Sequence, residues 1–466
     1  MTDRDKFKSK IGVILATAGA AVGLGNIWRF PVETGQNGGA AYIIIYICFI
    51  LLVGIPVMLA EFVLGRHTYS NPIAAFRHLA PHTQWVWVGR LGVFSGLLIL
   101  SYYSVVAGWT IEYSYLAITN AFDGGTPQDY KDVYCSFVSE PILPIIYLVL
   151  ILLATHFVIV RGIRKGIEKF SMIMMPMLLV MLLVLVVCSV TLSGAGEGLE
   201  YLLKPDFSKI TNKTVINAMG QSFFSLSLGL GALCTYASYF DENTRLVKSA
   251  FTIGLLDTCV AILSGFIIFP SMFHVGHHVN SSDIGPSLLF VTLPNVFHEA
   301  FDGIPLLGYL FPVVFYLLLV VASITSTISM LEIVVTYISE EYKVRRSRAS
   351  LFVTFISVVI AVFCSLSFGV LKDFTILGMT IFELLDKMVS NLFLPIGGMF
   401  FSIFVGWKMK KQLVVAELTN HGNLSMRFVG VIIFILRYIA PIAIILIIFN
   451  QLDIISLLNK LDILKV

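Results

Sequence analysis

Long apolar runs dominate the chain, and short polar stretches separate them. We predict eleven spans, at residues 11–36, 40–64, 86–119, 142–160, 166–192, 213–240, 244–273, 305–340, 349–371, 375–407 and 427–450. A helix needs about 20 mostly apolar residues to cross a bilayer. The pattern therefore predicts an all-α polytopic membrane protein. The first apolar run is not followed by a signal-peptide cleavage site, so we interpret it as a span that is kept in the protein.

Two of these runs are interrupted at mid-depth by glycine and polar residues. Gly19, Gly23 and Gly25 each weaken the first helix by roughly 1 kcal/mol, and Asn26 follows them. The sixth run carries serines and glycines over residues 221–231. Broken backbone is tolerated in a bilayer only where it is buried in protein or lines a wet cavity. Two such breaks predict a transporter with its binding site between them.

Composition and charge support this class. The chain is 57% hydrophobic and 13% charged, against about 25% charged residues in soluble domains. This composition predicts that the lipid bilayer surrounds the protein and that no nucleic acid is a partner. Its six cysteines show no metal-ligand or disulfide spacing. With the N-terminus inside, 21 of the 31 basic residues fall in inner loops, which predicts a cytoplasmic N-terminus and an outer C-terminus.

We interpret residues 1–466 as a single transporter domain. The two broken helices would each open one half of an inverted five-plus-five repeat, with 11–192 as the first repeat and 213–407 as the second. Residues 427–450 would be an additional helix.

Several polar residues inside the spans are candidates for binding. Sodium, like other hard cations, prefers oxygen ligands, and Ala322, Thr325 and Ser326 share one helix face with two hydroxyls. The alternative is that these hydroxyls bond to their own helix. Asp257 is a functional candidate because a carboxylate at that depth needs a partner. For Glu61, a functional role and a structural role in bracing loosened backbone are equally consistent with the sequence.

Further candidates would close the site or lie away from it. Arg29 and Asp386 are opposite charges in apolar runs, and would form either a gate or a permanent bridge. Rings that could cover a pocket or simply pack are Tyr102, Tyr103, Phe223 and Phe224. His274, His277 and His278 could bind a metal ion, but the pattern favours a solvated loop. The role of Arg437 in the last span stays open. The sequence contains no zinc-protease, nucleophile-elbow or Walker motif.

Specific motifs resemble the neurotransmitter:sodium symporter family, especially its prokaryotic amino-acid transporters. They are Ala-Val-Gly-Leu-Gly-Asn-Ile-Trp-Arg-Phe-Pro at 21–31, Asn-Gly-Gly at 37–39, Gly-Ile-Pro at 54–56, Ser-Leu-Ser-Leu-Gly at 225–229 and Thr-Tyr-Ala-Ser-Tyr at 235–239. The resemblance covers nearly the whole chain, and implies two sodium sites beside one amino-acid site in a prokaryotic plasma membrane.

The resemblance also implies roles for individual residues. One sodium would use Ala21, Asn26, Ser225, Asp257 and the substrate carboxylate; the other would use Gly19, Val22, Ala322, Thr325 and Ser326. Substrate would contact Ala21, Gly23, Gly25, Ile99, Tyr103, Val106, Phe224, Ser225, Ser227, Leu230, Ser326 and Met330. Tyr103 and Phe224 would form the lid, and Arg29 with Asp386 would form the outer gate. The inner gate would be Arg4, Tyr239 and Glu340.

Departures from the family pattern refine the expected substrate. Gly23 stands where monoamine-transporting relatives have Asp, so a substrate with its own carboxylate fits better. Asp257 replaces the Asn of chloride-dependent relatives, which predicts chloride independence. A second bacterial carboxylate is absent at Ala261, and Phe7 replaces a Trp of the inner gate. The apolar side-chain pocket favours neutral hydrophobic amino acids.

The sequence thus predicts a sodium-coupled importer of neutral hydrophobic L-amino acids that works by alternating access. Three alternatives stay open. A proton-coupled transporter of the same architecture would use Asp257 or Glu61 as the proton carrier. A non-transporting amino-acid receptor would bind without uptake, and an intramembrane enzyme would form a product.

Overall fold

The structure is a computed structural model, and it describes residues 6–122, 124–276, 286–301, 303–424 and 428–451. Within these ranges the chain is helical, and the only β pairing is an isolated bridge between Ile376 and Met379. The first half contains α1 (Lys10–Ala21), α2 (Gly25–Gln36), α3 (Ala40–Thr68), α4 (Pro72–Leu79), α5 (Val86–Ile118), α6 (Pro127–Ser139), α7 (Leu143–Val160), α8 (Ile163–Val190) and α9 (Ala195–Leu203), followed by a 3-10 turn at Phe207–Lys209. The second half contains α10 (Asn212–Ser225), α11 (Ala232–Ala237), α12 (Leu246–His274), α13 (Leu288–Phe301), α14 (Pro305–Glu341), α15 (Arg346–Leu366), α16 (Ile381–Lys408), α17 (Lys411–Leu418) and α18 (Val429–Gln451).

The first predicted break separates α1 from α2. Helix α1 starts where the Ser9 hydroxyl accepts a hydrogen bond from the Gly12 amide, and it ends where Val22 turns to an extended conformation (φ −69°, ψ 119°). Helix α2 resumes at Gly25 and is bent by 58° relative to α1. The predicted interruption of the first span is therefore present.

The second predicted break separates α10 from α11. Ser227, Gly229 and Gly231 have positive φ angles of 52°, 84° and 77°, which a continuing right-handed helix excludes. A side chain at Gly229 would also place its Cβ 2.1 Å from the Leu394 carbonyl oxygen, so the loop packs directly against α16.

The number of spans agrees with the prediction except at this second break. Nine described helices are long and apolar enough to cross a membrane, and the bent pair α1–α2 makes ten. The eleventh predicted span is the pair α10 and α11, whose 14 and 6 residues are individually too short to cross. The inverted repeat of residues 11–192 and 213–407, with its additional helix, stays a prediction.

Two predicted boundaries are wrong. The ninth span ends at Leu366 rather than near 371, and the tenth begins at Ile381 rather than near 375. Between them lies a tight turn in which Leu377 and Gly378 have positive φ. Helix α16 begins only after a capping box, in which Thr380 and Glu383 satisfy each other's backbone amides, a typical start signal for a helix.

Packing of the long helices places both breaks at the centre of the bundle. Helix α14 packs along α5, and α1 packs against α8, α12 and α14. Helix α2 contacts α12 as well, and α10 lies against α3. The free backbone groups at the breaks are thereby enclosed by α5, α12 and α14.

Candidate functional site

The break in α1 turns backbone amides towards side chains that hold them. The Gly23 amide donates to Asn26 Oδ1 at 3.0 Å, and the Leu24 amide donates to the Tyr103 hydroxyl at 3.2 Å. A Cβ at Gly23 would lie 2.5 Å from Ser326 Oγ. Glycine is therefore required here by the close approach of α14, and the space beside its backbone stays small.

Asp257 joins three elements behind this break. Its carboxylate accepts hydrogen bonds from Ser225 Oγ at 2.6 Å, from Asn26 Nδ2 at 2.8 Å and from the Tyr46 hydroxyl at 3.4 Å. Asp257 is fully buried, and all three donors are neutral. The structure thus brings together Asn26, Ser225 and Asp257, which are distant in sequence, and leaves a buried negative charge that a cation would balance.

A second group of oxygens lies on the other side of the break. Ser326 Oγ donates to the Val22 carbonyl at 3.1 Å, and Thr325 lies opposite Gly19, whose added Cβ would be 3.5 Å from Thr325 Cβ. Both hydroxyls also bond back to the Ala322 carbonyl, at 2.9 Å for Thr325 and 3.2 Å for Ser326. Four predicted oxygens of the second sodium site are therefore neighbours: the carbonyls of Val22 and Ala322 and the hydroxyls of Thr325 and Ser326. The same two hydroxyls also make the bonds to their own helix that the alternative interpretation expects.

A cavity of about 330 Å³ lies between the two breaks. Its lining includes these residues predicted to contact substrate: Ala21, Gly23, Gly25, Ile99, Tyr103, Val106, Phe224, Ser225, Ser227, Leu230, Ser326 and Met330. Backbone and hydroxyl groups lie at one end, and Ile99, Val106, Leu230 and Met330 form an apolar wall. The arrangement suits a small molecule with a polar head and an apolar tail.

The predicted outer gate is only partly assembled. Arg29 and Asp386 both line the cavity, but they form no ion pair. Instead the Arg29 guanidinium lies 4.3 Å from the centre of the Phe224 ring, and Asp386 accepts from Ser390 Oγ at 3.0 Å. A cation over an aromatic face gains electrostatic attraction without a carboxylate, so Arg29 covers the site through the predicted lid residue. The Arg29–Asp386 bridge stays a prediction for another state.

Around the predicted inner-gate residues lies a cluster that sequence reasoning missed. Tyr239 donates to Glu332 Oε1 at 2.7 Å, and the Arg346 guanidinium pairs with the same carboxylate, with Nη1 3.0 Å from Oε1. Glu332 lies in an apolar run just as Asp257 does, so the signal that identified Asp257 also applied to it. Of the predicted inner gate, Glu340 accepts two hydrogen bonds from Asn71, and Arg4 lies outside the described residues.

Aromatic rings pack together beside this cluster. Phe7 lies 6.1 Å from the ring centres of both Tyr236 and Tyr239, and its amide donates to the Tyr239 carbonyl. Phe7, which stands in place of the family's Trp, is thus buried among aromatic rings.

Glu61 holds the second break. Its carboxylate accepts from the Gly229 amide at 2.7 Å and from the Cys234 amide at 3.2 Å, one in the loop and one in α11. Buried amides that no helix satisfies need such an acceptor. Of the two interpretations left open for Glu61, this geometry favours the bracing of loosened backbone.

The remaining candidates lie away from the cavity. His274 Nδ1 contacts the Gly194 amide at 3.2 Å, while His277 and His278 lie outside the described residues. Arg437 donates to the Gly406 carbonyl and lies 5.5 Å from the Trp407 ring. Arg437 therefore ties α18 to α16.

Comparison with known proteins covers almost the entire chain. The profile of the family described as "Sodium:neurotransmitter symporter family" matches residues 4–136 and 138–460. An uncharacterized sodium-dependent transporter of Bacillus subtilis (strain 168), YhdH, is 36% identical over 451 residues, covering 97% of this chain and 98% of that protein. An uncharacterized sodium-dependent transporter of Haemophilus influenzae is 32% identical, covering 96% of this chain and 98% of that protein.

A solved structure is similar over the same length. The crystal structure of MhsT in complex with L-phenylalanine superposes with a TM-score of 0.86 at 40% sequence identity, and covers 96% of this chain and 100% of that one. The fold predicted from the two broken helices is therefore confirmed by a homologous structure.

Proposed function

The chain belongs to the sodium:neurotransmitter symporter family, and from that membership we propose that it imports neutral, hydrophobic L-amino acids together with sodium ions. Membership makes it a sodium-dependent, multi-pass membrane transporter rather than an enzyme. The substrate, the number of sodium ions and the role of chloride belong to the proposal.

The observation that carries the proposal is the convergence of Asn26, Ser225 and Asp257 beside the cavity. Three neutral donors surround the buried carboxylate of Asp257. The side chains of Asn26, Ser225 and Asp257 all carry oxygen atoms, which are the hard ligands that sodium prefers. A sodium ion at this point would use Asp257, Ser225, the Asn26 side-chain oxygen and the Ala21 carbonyl. It would also attract the carboxylate of a substrate in the adjoining cavity.

Substrate selection would follow from the two ends of the cavity. The amides near Gly23 and Gly25 and the Tyr103 hydroxyl would hold the substrate carboxylate, and carbonyls of Ala21 and the Phe224–Ser225 segment would hold its amine. The apolar wall places no charged group against the substrate side chain, so a charged side chain would lose its hydration there without compensation. MhsT, the similar solved protein, was crystallised with L-phenylalanine, which supports a hydrophobic substrate.

The second sodium ion would bind among the carbonyls of Gly19, Val22 and Ala322 and the hydroxyls of Thr325 and Ser326. This set joins α1 to α14, since Ser326 already reaches the Val22 carbonyl. An ion there would stabilise the arrangement in which the inner side is closed. Coupling then arises because sodium binds one state more tightly than the other.

Chloride would be unnecessary because Asp257 already supplies a fixed negative charge. Its carboxylate lies within hydrogen-bond distance of both Tyr46 and Ser225. A chloride ion at the same place would meet like-charge repulsion in a buried site. We therefore expect transport in chloride-free medium at an undiminished rate.

The test is uptake of a labelled amino-acid panel into proteoliposomes under an inward sodium gradient, with chloride replaced by gluconate. Asp257→Asn removes the charge and keeps the shape, so uptake should fall by at least about tenfold, or become chloride-dependent. Asp132→Asn is the matched control, because Asp132 is exposed on α6, and it should transport normally.

Each rival function gives a different result in the same experiment. Uptake that ignores sodium and follows an inward proton gradient would overturn the sodium sites in favour of proton coupling. Sodium-dependent binding without accumulation would favour a receptor. Uptake restricted to charged amino acids would overturn the assignment of the apolar wall.

A further inference from the structure

An apolar groove lies on the outside of the bundle, away from the central cavity. It runs between the first turns of α5 and the middle of α16, and has a volume of about 680 Å³. Its walls include Trp85, Trp87, Phe94, Ile396 and Phe400. Trp85 packs edge-on against the Phe400 ring, with ring centres 6.0 Å apart, so the floor is fixed by aromatic contacts between the two helices.

Two rings of the groove are exposed on the surface of a helix long and apolar enough to span the membrane. Trp87 is 60% exposed and Phe94 is 49% exposed, although both lie in a membrane-spanning helix. Tryptophan is enriched where spanning helices meet the membrane surface. The groove therefore starts at headgroup level, near Thr83 and Gln84, and continues along α5 to acyl-chain depth.

A cation stands at the mouth of the groove. The Arg90 guanidinium lies 4.5 Å from the Trp87 ring, and within the described ranges it has no carboxylate partner. By contrast, Arg77 at the same end of the bundle pairs with Glu341 at 2.6 Å. Arginine binds phosphate through two parallel N–H donors, so Arg90 offers an unused anion-binding group above an apolar slot.

We propose that this groove is a binding site for an anionic phospholipid, whose acyl chain fills the slot while its phosphate pairs with Arg90. Basic pockets between spanning helices at membrane-surface depth recognise anionic headgroups, and the volume lies within the range of about 300–1,000 Å³ that is typical of ligand pockets. The groove is separate from the proposed substrate site, because none of the groove residues lines the central cavity.

The test is native mass spectrometry of the full-length protein, titrated with phosphatidylglycerol or with phosphatidylcholine of identical acyl chains. The expected result is one phosphatidylglycerol molecule retained at concentrations at which phosphatidylcholine is lost, with an affinity ratio of about tenfold or more. Equal retention of the two lipids would overturn the proposal. A dimer that persists after delipidation and excludes lipid would also overturn it, because a second copy would then cover the groove.

Two variants and a control separate the headgroup contact from the slot. Arg90→Gln should reduce phosphatidylglycerol retention to the phosphatidylcholine level, and Ile396→Trp, which fills the slot, should reduce retention of both lipids. Arg348→Gln removes an exposed charge at the first turn of α15 and should change neither. If Arg348→Gln weakens phosphatidylglycerol as much as Arg90→Gln does, the preference comes from general surface charge and the site is excluded.

Discussion

Single residues at the break in α1 show how little space the site leaves. In Gly23→Ala, the new Cβ would lie 2.5 Å from Ser326 Oγ and 3.2 Å from the Tyr103 hydroxyl, so one of these groups must move. We expect the Kd for the amino acid to rise at least about tenfold, or about 1.4 kcal/mol, in sodium-dependent binding of a labelled substrate. Gly430→Ala is the control, because its added Cβ meets nothing within 4 Å. An unchanged Kd in Gly23→Ala would contradict this.

Glu61 gives a second prediction at this scale. In Glu61→Gln, the side-chain NH2 group would replace one of the two carboxylate oxygens that accept from the Gly229 and Cys234 amides. One backbone N–H would then lose its acceptor, and leaving a buried donor unpaired costs about 1–3 kcal/mol. The thermal denaturation midpoint in detergent should fall, while residual uptake should keep its sodium dependence. The exposed Glu197→Gln serves as the control. Loss of proton-driven uptake in a protein of normal stability would instead identify Glu61 as a proton carrier.

The sequence anticipates some of these residues and not others for physical reasons. A polar side chain in an apolar run needs a partner, and this identified Asp257 before its contacts with Asn26 and Ser225 were known. The same reasoning applied to Glu332 but was not used there. The position of Arg29 over Phe224 could not be inferred, because a choice between two nearby partners depends on side-chain rotamers.

At the scale of elements, a short helix ties down the end of a long one. Arg66, at the end of α3, donates from Nε to Glu417 Oε2 at 2.6 Å and from Nη1 to the Thr244 carbonyl at 2.6 Å. His67 Nδ1 lies 3.1 Å from the other Glu417 oxygen. The end of α3 is therefore bound both to α17 and to the segment that precedes α12.

This connection predicts a pH-dependent stability. Burial raises the pKa of Glu417, but the hydrogen bond from His67 and the charge of Arg66 outweigh it and bring the pKa below its ordinary 4.5. A carboxyl whose pKa is lower in the folded state stabilises the fold at pH values above its ordinary pKa, and this stabilisation is lost as the pH falls through the folded pKa.

Glu417→Gln should therefore lower the thermal midpoint at pH 7, and the gap to the wild type should narrow as the pH falls below about 4. Thermal denaturation in detergent over this pH range measures it. The exposed Glu242→Gln in the loop before α12 is the control and should show little gap at either pH. A gap that stays constant with pH would rule out the charge of Glu417 as its cause.

Element boundaries were predictable only where the apolar pattern and the local stop signals agree. The apolar pattern separates the spans 349–371 and 375–407 but makes the turn between α15 and α16 too short, because hydropathy does not report a positive φ. Thr380 and Glu383 carried the missing information as a capping box. The short helix α9 (Ala195–Leu203) was not predicted, since its length lies below that of a span.

At the scale of the whole molecule, charged residues line one side of the central cavity and packed aromatic rings lie on the other. Besides the site, it is lined by Glu33, Asp386 and Lys387, whereas Phe7 and Tyr239 pack together on the opposite side. A transporter of this kind exposes one fixed site to each side in turn. The positive-inside pattern predicts that the side with Glu33, Asp386 and Lys387 faces outwards, and this orientation is testable with the protein's own cysteines.

Cys135 is exposed on α6, in a loop that the charge pattern places outside. A membrane-impermeant maleimide should label it in intact cells, and Cys135→Ser should abolish that label. In the Cys135→Ser background, Lys6→Cys and Asn423→Cys should react only after permeabilisation. The reverse pattern would invert the orientation.

The same labelling decides whether the second broken pair crosses the membrane. Between Lys6 and Asn423 lie eight continuous spans and the bent pair α1–α2, which is an odd number of crossings. If α10 and α11 together make the tenth crossing, Lys6→Cys and Asn423→Cys must react from the same side. If they react from opposite sides, the pair is a re-entrant segment, and the predicted total of eleven helices is wrong.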